Sequence, residues 1–293
     1  MVETTPEGYK ILTRADGSKE FMIDSDRLDE CIEYIKRMDI RLIGINSFLG
    51  YKKREISFLS KLTDFVEGII IPENLSDISI LNSLHKLKTL GFADNKKTII
   101  DLSNFPDLST LACDYSPRLR GLETCEQLRS LTFSGYRSDD RTVEKLPRLS
   151  SLVTLDLFVS NILSLVGIDS FPLLKELTLF RASRLEDISA LRKINSTLTM
   201  IEFDSCKRIN NYDTLAELTK LKRLIIANSG EIPSLDFVRG LHELDFLSFV
   251  GTDIKDGDLS PCIGIKYVGF DDKRHYNMKF TDFEVGKSSN GKR

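Results

Sequence analysis

This sequence has little with which to do chemistry. It holds three histidines and five cysteines in 293 residues. The phosphate-cradling G-x-x-x-x-G-K-[ST], the nucleophile elbow G-x-S-x-G and the zinc-binding H-E-x-x-H are all missing. Cys31, Cys113, Cys125, Cys206 and Cys262 are scattered and odd in number, so a disulfide framework is not indicated and reduced thiols are expected. Cys262 lacks a neighbouring acid or histidine that would make it a nucleophile. No run approaches the roughly 18 apolar residues a spanning helix requires. The first ten residues, MVETTPEGYK, are polar and carry no secretory apolar core. Positive charge is not in excess either: net charge is −3, which argues against a general nucleic-acid binder. These absences lead to the expectation of no catalytic residue, no metal site, no cofactor, no small-molecule substrate, no membrane contact and a cytoplasmic location.

What is present is a period. Residues 87–95, LKTLGFADN, read L-x-x-L-x-F-x-x-N, and near-copies recur. Apolar pairs two apart occur at Ile69/Ile71, Leu90/Phe92, Leu111/Cys113, Leu131/Phe133, Leu155/Leu157, Leu177/Leu179, Ile201/Phe203, Leu224/Ile226, Leu247/Phe249 and Val268/Phe270, spaced by 20 to 24 residues. Three positions before each pair stand Val66, Leu87, Leu108, Leu128, Leu152, Leu174, Leu198, Leu221, Leu244 and Ile265. All are apolar; composition alone would give that roughly once in a thousand.

The pattern resembles the leucine-rich repeat, whose units of roughly 20 to 29 residues each carry one strand. Short return segments such as ISILNSL, LEDISAL and IPSLDFVRGL place it nearest the short-repeat, SDS22-like and internalin-like branch. The resemblance implies an α/β solenoid: a curved parallel sheet on the concave face, with short helical or 3-10 returns. It also implies a ladder position five residues after the first apolar residue, where a short polar side chain turns inward to satisfy backbone groups. Asn74, Asn95, Ser116, Ser160, Cys206, Ser229 and Thr252 fit; Tyr136, Ala182 and Lys273 depart, so local irregularity is expected there. Extracellular members often carry paired cysteine caps, which these cysteines do not form. His85 and His242 fall at the same place in coils far apart and cannot share a metal.

Three regions are expected: an N-terminal hairpin-plus-helix cap at 1–40, the solenoid at 41–273, and a C-terminal cap with a disordered tail at 274–293. The hairpin pairs YKILTR with KEFMID through an Asp16-Gly17 turn. The helix runs to Met38 from a cap at Ser25 or Asp26, with Leu28, Cys31, Ile32, Ile35 and Met38 on one face. It shields the first coil, or else forms a separate interaction module. Residues 41–47 make the first, atypical strand, and one capping strand is expected at 276–283.

Residues flanking each apolar pair point outward by the strand period of two, and laid side by side they form a surface roughly 45 Å across. Its middle carries Phe158 and Phe180 on adjacent coils, ringed by Asp156, Glu176, Glu202 and Asp204, with Arg181 alongside; its far end has Phe246 and Tyr267. Aromatic groups dominate interface energetics, although an aromatic ladder can also simply stack along a sheet. The expected function is a non-enzymatic protein-binding scaffold whose partner bears a basic patch. Two other readings stay open: a cytosolic inhibitor or immunity protein masking a toxin or enzyme, and a nucleic-acid adaptor using Lys52, Lys53 and Arg54.

Overall fold

Every coil is built on the same alternation. Its apolar pair faces inward, the residues beside the pair face outward, and the main chain is extended between them. In the computed structural model, which describes residues 1–14 and 17–284, all twenty residues of the ten pairs are buried. So are nine of the ten apolar residues three positions earlier; Ile265, in the last coil, is half-buried. Full burial of a Leu or Ile is worth about 1.5–3 kcal/mol, so this repeated core supplies the main driving force.

The chain divides into two units, Met1–Phe133 and Ser134–Arg293. In the first, Val2–Thr4, Lys10–Thr13 and Lys19–Met22 pair antiparallel. Leu42–Gly44, Gly68–Ile71, Thr89–Phe92 and Thr110–Asp114 then add in parallel. Ile69 faces Leu90, and Leu90 faces Leu111, so like falls beside like. Helix Leu28–Arg37 packs Cys31, Ile32, Tyr34 and Ile35 inward. Tyr34 stacks at 5.5 Å on Phe21 and lies 4.5 Å from Tyr9.

In the second unit Thr154–Phe158, Glu176–Phe180, Met200–Asp204, Arg223–Ala227, Phe246–Ser248 and Tyr267–Gly269 pair in parallel. Returns are single 3-10 segments such as Ser189–Ile194, Asp236–Gly240 and Ser260–Cys262. Several begin at an Asp-x-Ser step, where the aspartate accepts from the serine N–H: Asp187 from Ser189 at 2.8 Å, Asp258 from Ser260 at 2.9 Å. After each of the first five of these strands one residue takes the left-handed conformation, at Val159, Arg181, Ser205, Asn228 and Gly251 (φ 52° to 69°). Its N–H donates to the next coil: Val159 to Phe180 O at 2.8 Å, Arg181 to Asp204 O at 2.8 Å, Ser205 to Ala227 O at 2.9 Å. That step turns the following residue inward, onto the ladder position.

The ladder is literal in this unit. Cys206 N–H donates to Ser229 Oγ at 3.1 Å and Ser229 N–H to Thr252 Oγ1 at 2.9 Å. Thr252 Oγ1 donates back to Ile226 O at 2.7 Å. Tyr136 and Ala182, expected to be irregular, are also fully buried there. Tyr136 fills the position and carries its hydroxyl on to Thr142 O at 3.1 Å.

Four expectations need correction. Asn74 does not turn inward; it is exposed, its amide donates to Asp94 O, and Leu75 is buried instead. The helix has no side-chain cap, and Arg27 stands at its N-cap. Ser25 Oγ instead accepts from Lys52 N–H at 3.0 Å, and Asp26 is an ion-pair partner of Lys52. Met38, expected on the packed face, is 53% exposed. The last element is a short helix, Phe280–Glu284, rather than a strand, because Phe280 and Phe283 turn edge-on to Phe270 at 6.0 and 5.7 Å. The strand Val2–Thr4 was not anticipated. The turn residue Asp16 and the tail at 286–293 lie outside the described residues.

Candidate functional site

The outward side chains of the second unit stand in rows set by the parallel register. One row runs Glu176, Met200, Arg223, Phe246, Tyr267. The next runs Asp156, Thr178, Glu202, Ile225, Ser248. The third runs Phe158, Phe180, Asp204, Ala227. Zero stagger between coils puts residues of neighbouring strands about 4.8 Å apart, so each row is a line of touching groups.

Phe158 and Phe180 meet edge-to-face with centroids 6.0 Å apart and are both half-buried. Arg181, exposed, lays its guanidinium 5.0 Å from the Phe180 centroid. Asp204 follows in the same row; its Oδ1 accepts from Ser205 Oγ at 2.7 Å and Asn228 Nδ2 at 3.2 Å. Asp156 and Glu202 flank the pair one row over, separated by Thr178. Burial holds the Glu202 carboxyl above its ordinary range; the charges of Asp204 and Asp156 push the same way and Arg223 opposes them. Glu176 Oε2 accepts from Thr154 Oγ1 at 3.1 Å.

Phe246 and Tyr267 form a second cluster, stacked at 4.5 Å with 12° between planes. Three strand intervals and two rows put it about 20 Å from the phenylalanine pair. Arg223 caps this stack, its guanidinium 3.7 Å over Phe246. Arg223 was absent from the expected set. Its signal was available, since it stands one place before its apolar pair just as Phe246 and Tyr267 do; what was missing is that zero stagger lays it on the ring.

Elsewhere the other candidates separate. Lys52 is tied to Asp26, while Lys53 and Arg54 are exposed. His85 lies 3.1 Å from Asn104 O, and His275 lies 3.0 Å from Ile254 O and 3.3 Å from Asp253. All five cysteines are buried and free. Burial pushes the thiols of Cys206 and Cys262 up to about 12 and that of Cys125 to about 11. No group of three or more His, Cys, Asp or Glu among the described residues could hold a metal ion. No helix among them is long and apolar enough to cross a membrane.

No protein-family model matches this chain, and no curated protein does. Solved structures do. An internalin (inlF) from Listeria monocytogenes is 18% identical over 87% of both chains, with a TM-score of 0.50. Internalin C2 (inlC2) from the same organism is 17% identical over 77% of this chain and 87% of its own, TM-score 0.48. The leucine-rich-repeat protein LIC12759 of Leptospira interrogans is 13% identical over 78% of this chain and 77% of its own, TM-score 0.36. With its ten-fold repeat, parallel rows and 3-10 returns, the chain therefore has the leucine-rich-repeat fold, in its short-coil, internalin-like form.

Proposed function

We propose that this chain is a non-enzymatic protein-binding scaffold and that it binds through the outward face of the second unit. The observation that carries this reading is the Phe158–Phe180 pair: two large rings meeting on a solvent-facing sheet, with Asp156, Glu202 and Asp204 beside them. Apolar anchors within a charged rim are the arrangement in which truncating one side chain costs most at an interface. The carboxylates select a partner with a basic patch. Phe246, Tyr267 and Arg223 form a second contact point on the same face. The cap at 1–40, the solenoid at 41–273 and the C-terminal cap at 274–293 are the working divisions of this scaffold, with a cytoplasmic setting. An inhibitor that masks a toxin or enzyme is a special case of the same surface. The nucleic-acid reading is weaker, because Asp26 already neutralises one cation of the basic run.

The test is retention of proteins from source lysate by wild type and by a Phe158→Ala/Phe180→Ala variant with an unchanged far-ultraviolet spectrum. A protein held by wild type and lost by the variant is the expected outcome. Equal retention of the same proteins by both overturns the site.

A further inference from the structure

Phe48 is 93% exposed, more than any other large apolar residue described. It does not sit on a slack loop. Asn46 accepts the Phe48 N–H at 2.9 Å, Tyr51 N–H returns to Asn46 O at 3.0 Å, and Lys52 N–H closes onto Ser25 Oγ at 3.0 Å. The ring is therefore presented by an ordered turn, Ser47–Leu49, and docking it would cost little ordering entropy. The cations that follow are unequal. Lys52 is paired with Asp26, but among the described residues neither Lys53 nor Arg54 makes an ion pair. The segment thus carries an exposed aromatic ring and, five and six residues on, two exposed cations outside any ion pair, although Lys53 lies close enough to Asp29 and Glu55 to lower both carboxyls. The phenylalanine patch of the second unit offers apolar rings beside Glu202 and Asp204, neither of which makes an ion pair among the described residues, with Arg181 over Phe180 and the charge of Arg223 felt at Glu202.

We propose that a second copy of this chain occupies the patch, inserting Phe48 against Phe158 and Phe180 while Lys53 and Arg54 meet the carboxylates. The proposal rests on the patch being a docking surface, as argued above. The contact is heterologous, since loop and patch are different surfaces, so association runs head to tail and each added copy leaves one loop and one patch free for the next. The area is small, one ring and two charge pairs, well under the roughly 1,200 Å² of a stable interface, so association is weak. The net charge of −3 on each copy opposes it, which makes the attraction local and salt-sensitive. Any other protein using the patch would have to displace the loop, so self-association would hold the site closed at high concentration.

Sedimentation equilibrium of the full chain tests this, from about 10 μM to about 500 μM, a range suited to weak association. Wild type should show a mass above monomer that rises with concentration and falls with added salt. Phe48→Ser should weaken association roughly tenfold, as loss of a central anchor does, and Phe158→Ala/Phe180→Ala should do the same. The decisive mixture is one variant with the other. Each keeps the surface its partner lacks, so the mixture should form a 1:1 dimer and stop there, which also shows both variants are folded. A monomeric wild type at the highest concentration overturns the proposal, and so does association that either variant leaves unchanged or a mixture that stays monomeric. A monomeric wild type that still loses a lysate partner on removal of the two phenylalanines would refute self-docking alone and leave the binding surface intact.

Discussion

Replacing Thr252 with valine keeps the shape of the side chain and removes only its hydroxyl. That oxygen accepts from Ser229 N–H at 2.9 Å and donates to Ile226 O at 2.7 Å, at a position 2% exposed. Valine leaves the Ser229 N–H without this acceptor where water does not reach, and a buried unsatisfied group costs about 1–3 kcal/mol. The loss at Ile226 O is partial, because a carbonyl has a second lone pair. We expect Thr252→Val to lower stability by about 2–3 kcal/mol, against under about 1.5 kcal/mol for Thr252→Ser, which keeps both bonds and loses a methyl group. Urea denaturation followed by circular dichroism gives the first number. Amide exchange of Ser229 locates it, since its protection should fall most. A valine variant as stable as wild type, with Ser229 still protected, would refute the ladder as a source of stability.

Other expectations follow from the same geometry. Ala182→Ser should restore a missing rung, because Cys206, Ser229 and Thr252 at the same inward position in the following coils each donate to a carbonyl of the coil before, whereas the Ser160 hydroxyl is buried without a partner among the described residues; thermal denaturation should show a gain of about 0.5–1.5 kcal/mol. Val159 holds a β-branched side chain at φ 60°, so Val159→Asn should stabilise by about 1 kcal/mol, whereas Gly251→Ala should destabilise, its new Cβ arriving 2.4 Å from Asn228 Oδ1. For Cys206 and Cys262 the folded thiol titrates near 12 against an ordinary 9.0, so the unfolded chain ionises first. Their contribution is whole below pH 9 and is lost as pH rises toward 12; a Cys262→Ala variant should show a shallower decline across that window. Glu202 is also raised, so its contribution is present below the ordinary glutamate value of 4.5 and lost above it; Glu202→Gln should flatten the fall in stability between there and neutral pH.

The sequence by itself determined the coil. Apolar residues two apart, repeated every 20 to 24 positions, can be buried together only if each coil stacks on the next, and the ten buried pairs follow from that constraint. It also placed Phe158 beside Phe180 and Asp156 beside Thr178, because a parallel sheet without stagger turns equal repeat position into spatial contact. Where a residue's environment depended on chain outside its own coil, the repeat pattern was silent. Asn74 has the right residue type but lies exposed, and Ala182 has the wrong one but is buried, since inward placement comes from the backbone turn before it and not from the side chain. Arg223 reached the Phe246 ring because two strands are in register. Phe48 was left bare because its turn is held by Asn46 and Ser25, residues on two different segments. Periodicity specifies what each coil must bury; only the packed chain decides which polar and aromatic groups are left facing water, and beside which neighbours.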